Sequence, residues 1–101
     1  MNQVYTLKLH RSIEKALQRI PGKHRERVVR TMRSLRENPR PPGCVKLDAS
    51  LYRVREGQYR IIYAIFEAEI VIVVCKVARR AEDTYRNLPA LLARAESLLD
   101  E

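Results

Sequence analysis

The run Ile70-Val71-Ile72-Val73-Val74-Cys75 limits most sharply what this chain can fold into. Six consecutive apolar residues, nearly all β-branched, favour a strand, and a strand apolar on both faces has to be covered on both. The rest of the sequence supplies two covers. Ile13, Ala16, Leu17 and Ile20 fall at i, i+3, i+4 and i+7, one apolar stripe of a helix that Ser12 can cap, while Glu14, Lys15, Gln18 and Arg19 face water. Pro21-Gly22 stops it. A second helix is expected from about His24 to Glu37, with Val28, Met32 and Leu35 inward and Arg27, Arg30, Arg33 and Arg36 on the rim. A last helix over about 88–99, carrying Leu91, Leu92, Ala95, Leu98 and Leu99 on one side, provides the second cover.

Between these helices the apolar period changes from about 3.6 to 2. Asn38-Pro39-Arg40-Pro41-Pro42-Gly43 cannot continue a helix, because proline removes donors and fixes φ, so it is a connecting loop. Beyond it, Leu51–Glu56, Tyr59–Phe66 and Ile70–Val77 read as a three-stranded antiparallel meander, with turns at Gly57-Gln58 and Glu67-Ala68-Glu69. Residues 3–9 suit a further short strand. The layout is β-α-α-β-β-β-α, with the two N-terminal helices packed on an antiparallel sheet, hence an α+β fold in a single domain over 1–101.

Composition narrows the function. Lys and Arg number 20 against 12 Asp and Glu, a formal charge of +8, and only Lys8, Lys15, Lys23, Lys46 and Lys76 are lysines, so the excess is arginine. A guanidinium presents a planar donor fork that matches phosphate and stacks on bases, which points to nucleic acid over a generic solubilising charge. The excess lies in residues 1–87, whereas the tail holds one base, Arg94, against Glu96, Asp100 and Glu101. With 46% hydrophobic residues the chain is too apolar for a disordered segment. No stretch approaches the roughly 20 apolar residues of a membrane span, and Met1–Tyr5 shows no basic leader, so a cytoplasmic protein is expected. Cys44 and Cys75 lack C-x-x-C spacing and a nearby histidine cluster; inert thiols are expected, with neither metal nor cofactor.

Strand alternation puts Leu51, Arg53 and Arg55 on one face and Tyr52, Val54 and Glu56 on the other. If Gly57-Gln58 is a two-residue turn, Arg55 lies opposite Arg60 and Arg53 opposite Ile62, so three arginines crowd one patch. A three-residue loop would send Arg60 to the far face. Solvent-facing arginines with snorkelling stems would explain the hairpin taken alone. Arg79-Arg80 leave the sheet beside the same patch and Tyr85 follows five residues later, making a polyanion site with a stacking ring, as single-stranded RNA requires. Tyr52, Tyr59 and Tyr63 are expected in the core, and His10 and His24 away from the patch.

Pro39-Arg40-Pro41-Pro42-Gly43, Lys46-Leu47, Leu51-Tyr52-Arg53-Val54-Arg55, Gly57-Gln58-Tyr59-Arg60-Ile61-Ile62-Tyr63 and Val77-Ala78-Arg79-Arg80 through Tyr85-Arg86 resemble, in order and spacing, the RelE branch of the RelE/ParE toxin superfamily. The resemblance covers nearly the whole chain. It implies a microbial-ribonuclease-like RelE fold and a toxin of a type II toxin–antitoxin pair that enters the ribosomal A site and cuts mRNA without a metal. By position it implies catalytic roles for Arg53, Arg55, Arg60, Arg80 and Tyr85, and substrate contacts for Lys46, Arg79 and Arg86. Implied partners are a cognate antitoxin, the ribosome with its mRNA, and ribosomal RNA met through the basic surface; DNA would be reached only through the antitoxin complex, and no membrane is involved.

Many relatives carry lysine where Arg53 and Arg55 stand, and Gly-His-Arg where this chain has Ala78-Arg79-Arg80. Arginine does not give up its proton, so the expected catalysis rests on electrostatics and alignment. Two other readings share the scaffold: a ParE-like inhibitor of DNA gyrase without nuclease activity, and a catalytically degenerate RNA-binding member.

Overall fold

Five strands form one mixed sheet in the order β1-β5-β4-β3-β2. They are β1 (Thr6–Leu9), β2 (Val45–Asp48), β3 (Leu51–Glu56), β4 (Tyr59–Phe66) and β5 (Val71–Arg79); the helices are α1 (Ser12–Gln18), α2 (Gly22–Ser34) and α3 (Leu88–Ser97). The structure, a computed structural model, describes residues 3–80 and 87–100. Val71 to Cys75 are all buried, because β5 lies inside the sheet and both of its faces are covered.

The period of 2 sorts the sheet into two cores. Tyr52, Val54, Tyr59, Ile61, Tyr63, Ile65, Ile72 and Val74 pack with Ile13 and Ile20 around α1 and with Val28, Met32 and Leu35 around α2. Leu51, Ile62, Ala64, Val71, Val73 and Cys75 pack on the other side with Leu91 and Ala95 of α3. Helices therefore cover both faces, as the apolar run of β5 demands, and Tyr52, Tyr59 and Tyr63 belong to the core. Cys44 and Cys75 are free and lie on opposite faces of the sheet, so no bond can join them. Burial pushes the Cys75 thiol up to about 12.

Two links fix α3. Lys8 Nζ donates to the carbonyl of Leu98 at 2.8 Å, at the end of the helix where free carbonyls accept cations, and Arg94 donates to the Cys75 carbonyl at 3.3 Å. The proline loop is held on the opposite side. The Tyr63 hydroxyl donates to the Pro39 carbonyl at 2.6 Å, and the Arg40 guanidinium sits 5.1 Å from the Tyr52 ring centre, donating to the Tyr52 hydroxyl and to Glu67. Those bonds, Tyr52 first, raise the Arg40 pKa further above its ordinary value.

The structure departs from the sequence reading in four places. β1 joins the sheet parallel to β5, with Thr6 opposite Val71 and Leu9 opposite Val74, so the sheet is mixed. The segment leading into the meander forms an additional strand, β2, paired antiparallel with β3. Ser12 does not cap α1: its Oγ lies 2.7 Å from His10 Nδ1, and Arg11 precedes the helix without a side-chain cap. Ile70 closes the preceding turn at φ 57, donating to the Glu67 carbonyl, so the strand begins one residue later.

Candidate active site

The β3–β4 hairpin fixes the first part of the site. Gly57 has φ 59 while Gln58 does not enter the positive region, the pattern of a tight two-residue turn whose twist matches its strands. Register follows: Arg55 faces Arg60, Arg53 faces Ile62, and Glu56 faces Tyr59. Cross-strand partners share a face, so Arg53, Arg55 and Arg60 lie on the side of the sheet that α3 covers. α3 packs over the apolar part of that face, Leu51, Ile62, Ala64, Val71 and Val73, and the arginines occupy the part nearer the hairpin turn.

The acid of the hairpin turns away. Glu56 points to the face that α1 and α2 cover, where its carboxylate accepts a hydrogen bond from the Thr31 hydroxyl at 2.7 Å. Among the described residues, the only ion pair joins Arg40 to Glu67. Arg53 is half-buried, and its Nε is enclosed with no hydrogen-bond partner among the described residues. A sheltered donor of this kind carries an unrecovered desolvation cost in the free protein, which an anion bound beside it would offset.

Arg80 is brought in by the end of β5. Arg60 pairs with Ala78, a small residue that leaves room beside the guanidinium, and the backbone N–H of Arg80 donates to the Gln58 carbonyl at 2.6 Å, carrying the pairing one step past the strand. Arg60 and Arg80, with Gln58 and Arg79, line one cavity of about 580 Å³. The structure thus joins Arg60 and Arg80 in one cavity, with Arg53 and Arg55 on the same sheet face.

Three expected residues sit elsewhere or outside the described chain. Lys46 pairs with Tyr52, which puts it on the opposite face, lining a separate cavity with Arg40 and Glu67. Tyr85 and Arg86 lie outside the described residues. Arg79 pairs with Tyr59 and so belongs to the face that α1 and α2 cover, although the residue also lines the cavity of Arg60 and Arg80. One basic residue went unassigned in the sequence. A bulge between Ile62 and Tyr63 pairs Lys76 with Ile62, which carries it to the face of Arg53 and Arg60. Strict alternation from Val71, Val73 and Cys75 assigns it to the other face, and nothing local in the sequence marks the bulge.

No group of three or more potential metal ligands occurs among the described residues, and no helix there is long and apolar enough to cross a membrane. Against known proteins, residues 7–84 match the family model of the ParE toxin of type II toxin–antitoxin systems. A candidate toxin, RelE1, of Methanocaldococcus jannaschii is 26% identical over 88 residues, spanning 82% of this chain and 97% of its own. A chain in the crystal structure of the archaeal RelE–RelB complex from Pyrococcus horikoshii OT3 is 32% identical with a TM-score of 0.73, covering 79% of this chain and 99% of that one. A chain of the toxin–antitoxin complex RelBE2 from Mycobacterium tuberculosis has the same fold at 24% identity and a TM-score of 0.68, covering 79% and 95%. The mixed sheet, its helices and the matched span agree: the chain belongs to the RelE/ParE superfamily, as a RelE-family toxin of a toxin–antitoxin system.

Proposed function

We propose that this toxin is an endoribonuclease that cleaves mRNA in the ribosomal A site. The observation that carries the reading is the placement of Arg53, Arg55 and Arg60 on one sheet face, with Arg60 and Arg80 in one cavity. Like charges set directly opposite destabilise a hairpin, so Arg55 beside Arg60 costs the free protein up to about 1 kcal/mol. A bound phosphate removes that cost and gains charge-assisted hydrogen bonds.

In the proposed reaction the 2′-oxygen of the message attacks the adjacent phosphorus in line. The 2′-O–P bond forms, the P–O5′ bond breaks, and the products are a 2′,3′-cyclic phosphate and a free 5′-hydroxyl. The nucleophile belongs to the substrate, so the route calls for no metal-bound water. Arg53, Arg60 and Arg80 stabilise the charge that grows on the phosphorane oxygens; one preorganised donor in such a role is worth about 3 kcal/mol. Arg55 holds the neighbouring backbone, and Tyr85 orients and stacks the base. None of these guanidiniums accepts the proton of the 2′-hydroxyl, because arginine stays protonated; that proton passes to solvent water, and the departing 5′-oxygen takes one back from solvent water, so the diester's single charge is carried over to the cyclic phosphate. The protein therefore contributes alignment and electrostatics, and the ribosome holds the message in the in-line geometry.

The partner in the resting cell is a cognate antitoxin, as in the RelE–RelB and RelBE2 complexes of the similar toxins. An acidic or apolar segment would complement the basic patch. Wild-type protein added to programmed ribosomes should yield fragments ending in 2′,3′-cyclic phosphate, read by mass spectrometry. The match to the ParE family model favours a second reading, a non-nucleolytic toxin acting on DNA gyrase. Inhibition of supercoiling with the message left intact would establish that reading instead.

A further inference from the structure

Arg79 occupies an unusual position between two cavities. Its register partner is Tyr59, so its side chain leaves the sheet on the face that α1 and α2 cover, yet the residue also lines the cavity of Arg60 and Arg80. It also lines a second cavity of about 400 Å³, where the end of the sheet meets the turn between α1 and α2, together with Ala16, Arg19, Ile20, Tyr59 and Val77. Arg79 is therefore a wall common to two neighbouring cavities at the start of β4 and the end of β5.

We propose that the RNA strand held at Arg60 and Arg80 continues past this wall into a second subsite, where Arg79 and Arg19 hold its backbone phosphates on the face of the sheet that α1 and α2 cover. The proposal rests on the nucleolytic reading for its ligand. Among the described residues, no carboxylate lines either cavity. Arg19 and Arg79 are exposed, and neither side chain makes a hydrogen bond or an ion pair with a described residue. The floor between them is apolar, formed by Ala16, Ile20 and Val77. Two cations flanking an apolar floor suit a chain of nucleotides, with phosphates at the rim and a base against the floor, better than a small free anion. Arg25 removes the obvious objection. The carbonyls at the end of α1 would repel a phosphate, but the Arg25 guanidinium donates to those of Leu17 and Ile20 at 2.9 and 3.0 Å.

The test uses the full-length toxin and 2′-O-methyl oligouridines, which lack the attacking hydroxyl and stay intact. Affinity is measured by fluorescence anisotropy for lengths of about three, five and seven nucleotides over a salt series. Wild-type toxin should gain at least about fivefold in affinity on lengthening, with a salt slope steeper by about 1.4 for two added phosphates at about 0.7 each. Arg19→Ala, which leaves the cavity of Arg60 and Arg80 intact, should bind the shortest oligonucleotide as the wild type does and lose part of the length-dependent gain, and Arg19→Ala/Arg79→Ala should lose all of that gain. Arg30→Ala/Arg33→Ala, which removes the same charge from the exposed face of α2, should keep it. Equal gains in wild type and Arg19→Ala/Arg79→Ala, or equal losses in both double variants, would overturn the proposal. So would a variant that loses binding of a Glu-rich peptide while retaining the RNA gain, since the groove would then take a protein partner. A-site cleavage run in parallel separates the two readings. Cleavage with no Arg19/Arg79-dependent gain removes the subsite alone, whereas the gain without cleavage removes the nuclease and leaves the groove.

Discussion

Arg55 and Arg60 stand directly opposite one another across the β3–β4 hairpin, while the one carboxylate of the hairpin, Glu56, is turned to the far face and bonded to Thr31. A hairpin shaped for stability alone would place the acid between the two cations. Replacing one cation should therefore separate stability from function. Arg55→Thr, which keeps a good strand former, is expected to stabilise the fold by about 0.2 to 1 kcal/mol and to slow A-site cleavage. Urea unfolding and cleavage rates on the same preparation check both directions.

Arg53 gives a second case of the same kind. Its Nε is enclosed without a hydrogen-bond partner among the described residues, beside the apolar Ile62. Arg53→Met retains the stem and removes the sheltered donor, so stability should rise by about 1 kcal/mol. Cleavage should fall on the order of a hundredfold, the expected loss for one charge-stabilising donor.

The hydroxyl of Tyr63 ties the proline loop to the sheet core through the Pro39 carbonyl. Tyr63→Phe keeps the ring and deletes that bond. A loss of about 1 kcal/mol is expected, with cleavage unchanged, because Tyr63 packs on the face that α1 and α2 cover and the arginine patch lies on the other. Chemical denaturation gives the stability and single-turnover cleavage gives the control.

Alkaline pH should weaken the fold through Cys75. Its thiol has an ordinary value of 9.0 and is pushed up to about 12 by burial, so the unfolded chain releases the proton first. A raised folded value means the stabilisation is complete below pH 9 and fades as pH climbs from about 9 towards 12. At pH 10, one unit above the unfolded value, the loss is on the order of 1 kcal/mol. Burial also holds the Tyr63 phenol above its ordinary range, which extends the decline beyond pH 10. Cys75→Ala should lose the step between pH 8 and pH 10 in urea-unfolding measurements.

Local chemistry made much of this legible. The Gly57-Gln58 turn set the register of three arginines from six residues of sequence, and the apolar run of β5 demanded the two covers that α1 with α2, and α3, provide. What escaped the sequence depends on distant or irregular contacts. Only four residues long and largely exposed, β2 carries no clear alternation to read. β1 pairs with a strand more than sixty residues away, and nothing in its own sequence signals a parallel neighbour. Lys76 shares the face of Arg53 and Arg60 because a bulge interrupts the alternation of β5, and nothing local in the sequence marks that bulge. Lys46 shares a motif with the hairpin in sequence, but the β2–β3 register separates it from Arg53 in space.

Toeprinting on ribosomes stalled with a defined A-site codon tests the central claim most directly, comparing wild type with Arg60→Ala and Arg80→Ala. The account predicts a cut within the A-site codon for wild type, and a rate lower by about a hundredfold or more in each variant at unchanged thermal unfolding. Intact message beside folded wild-type toxin, or full cleavage by both variants, would contradict it.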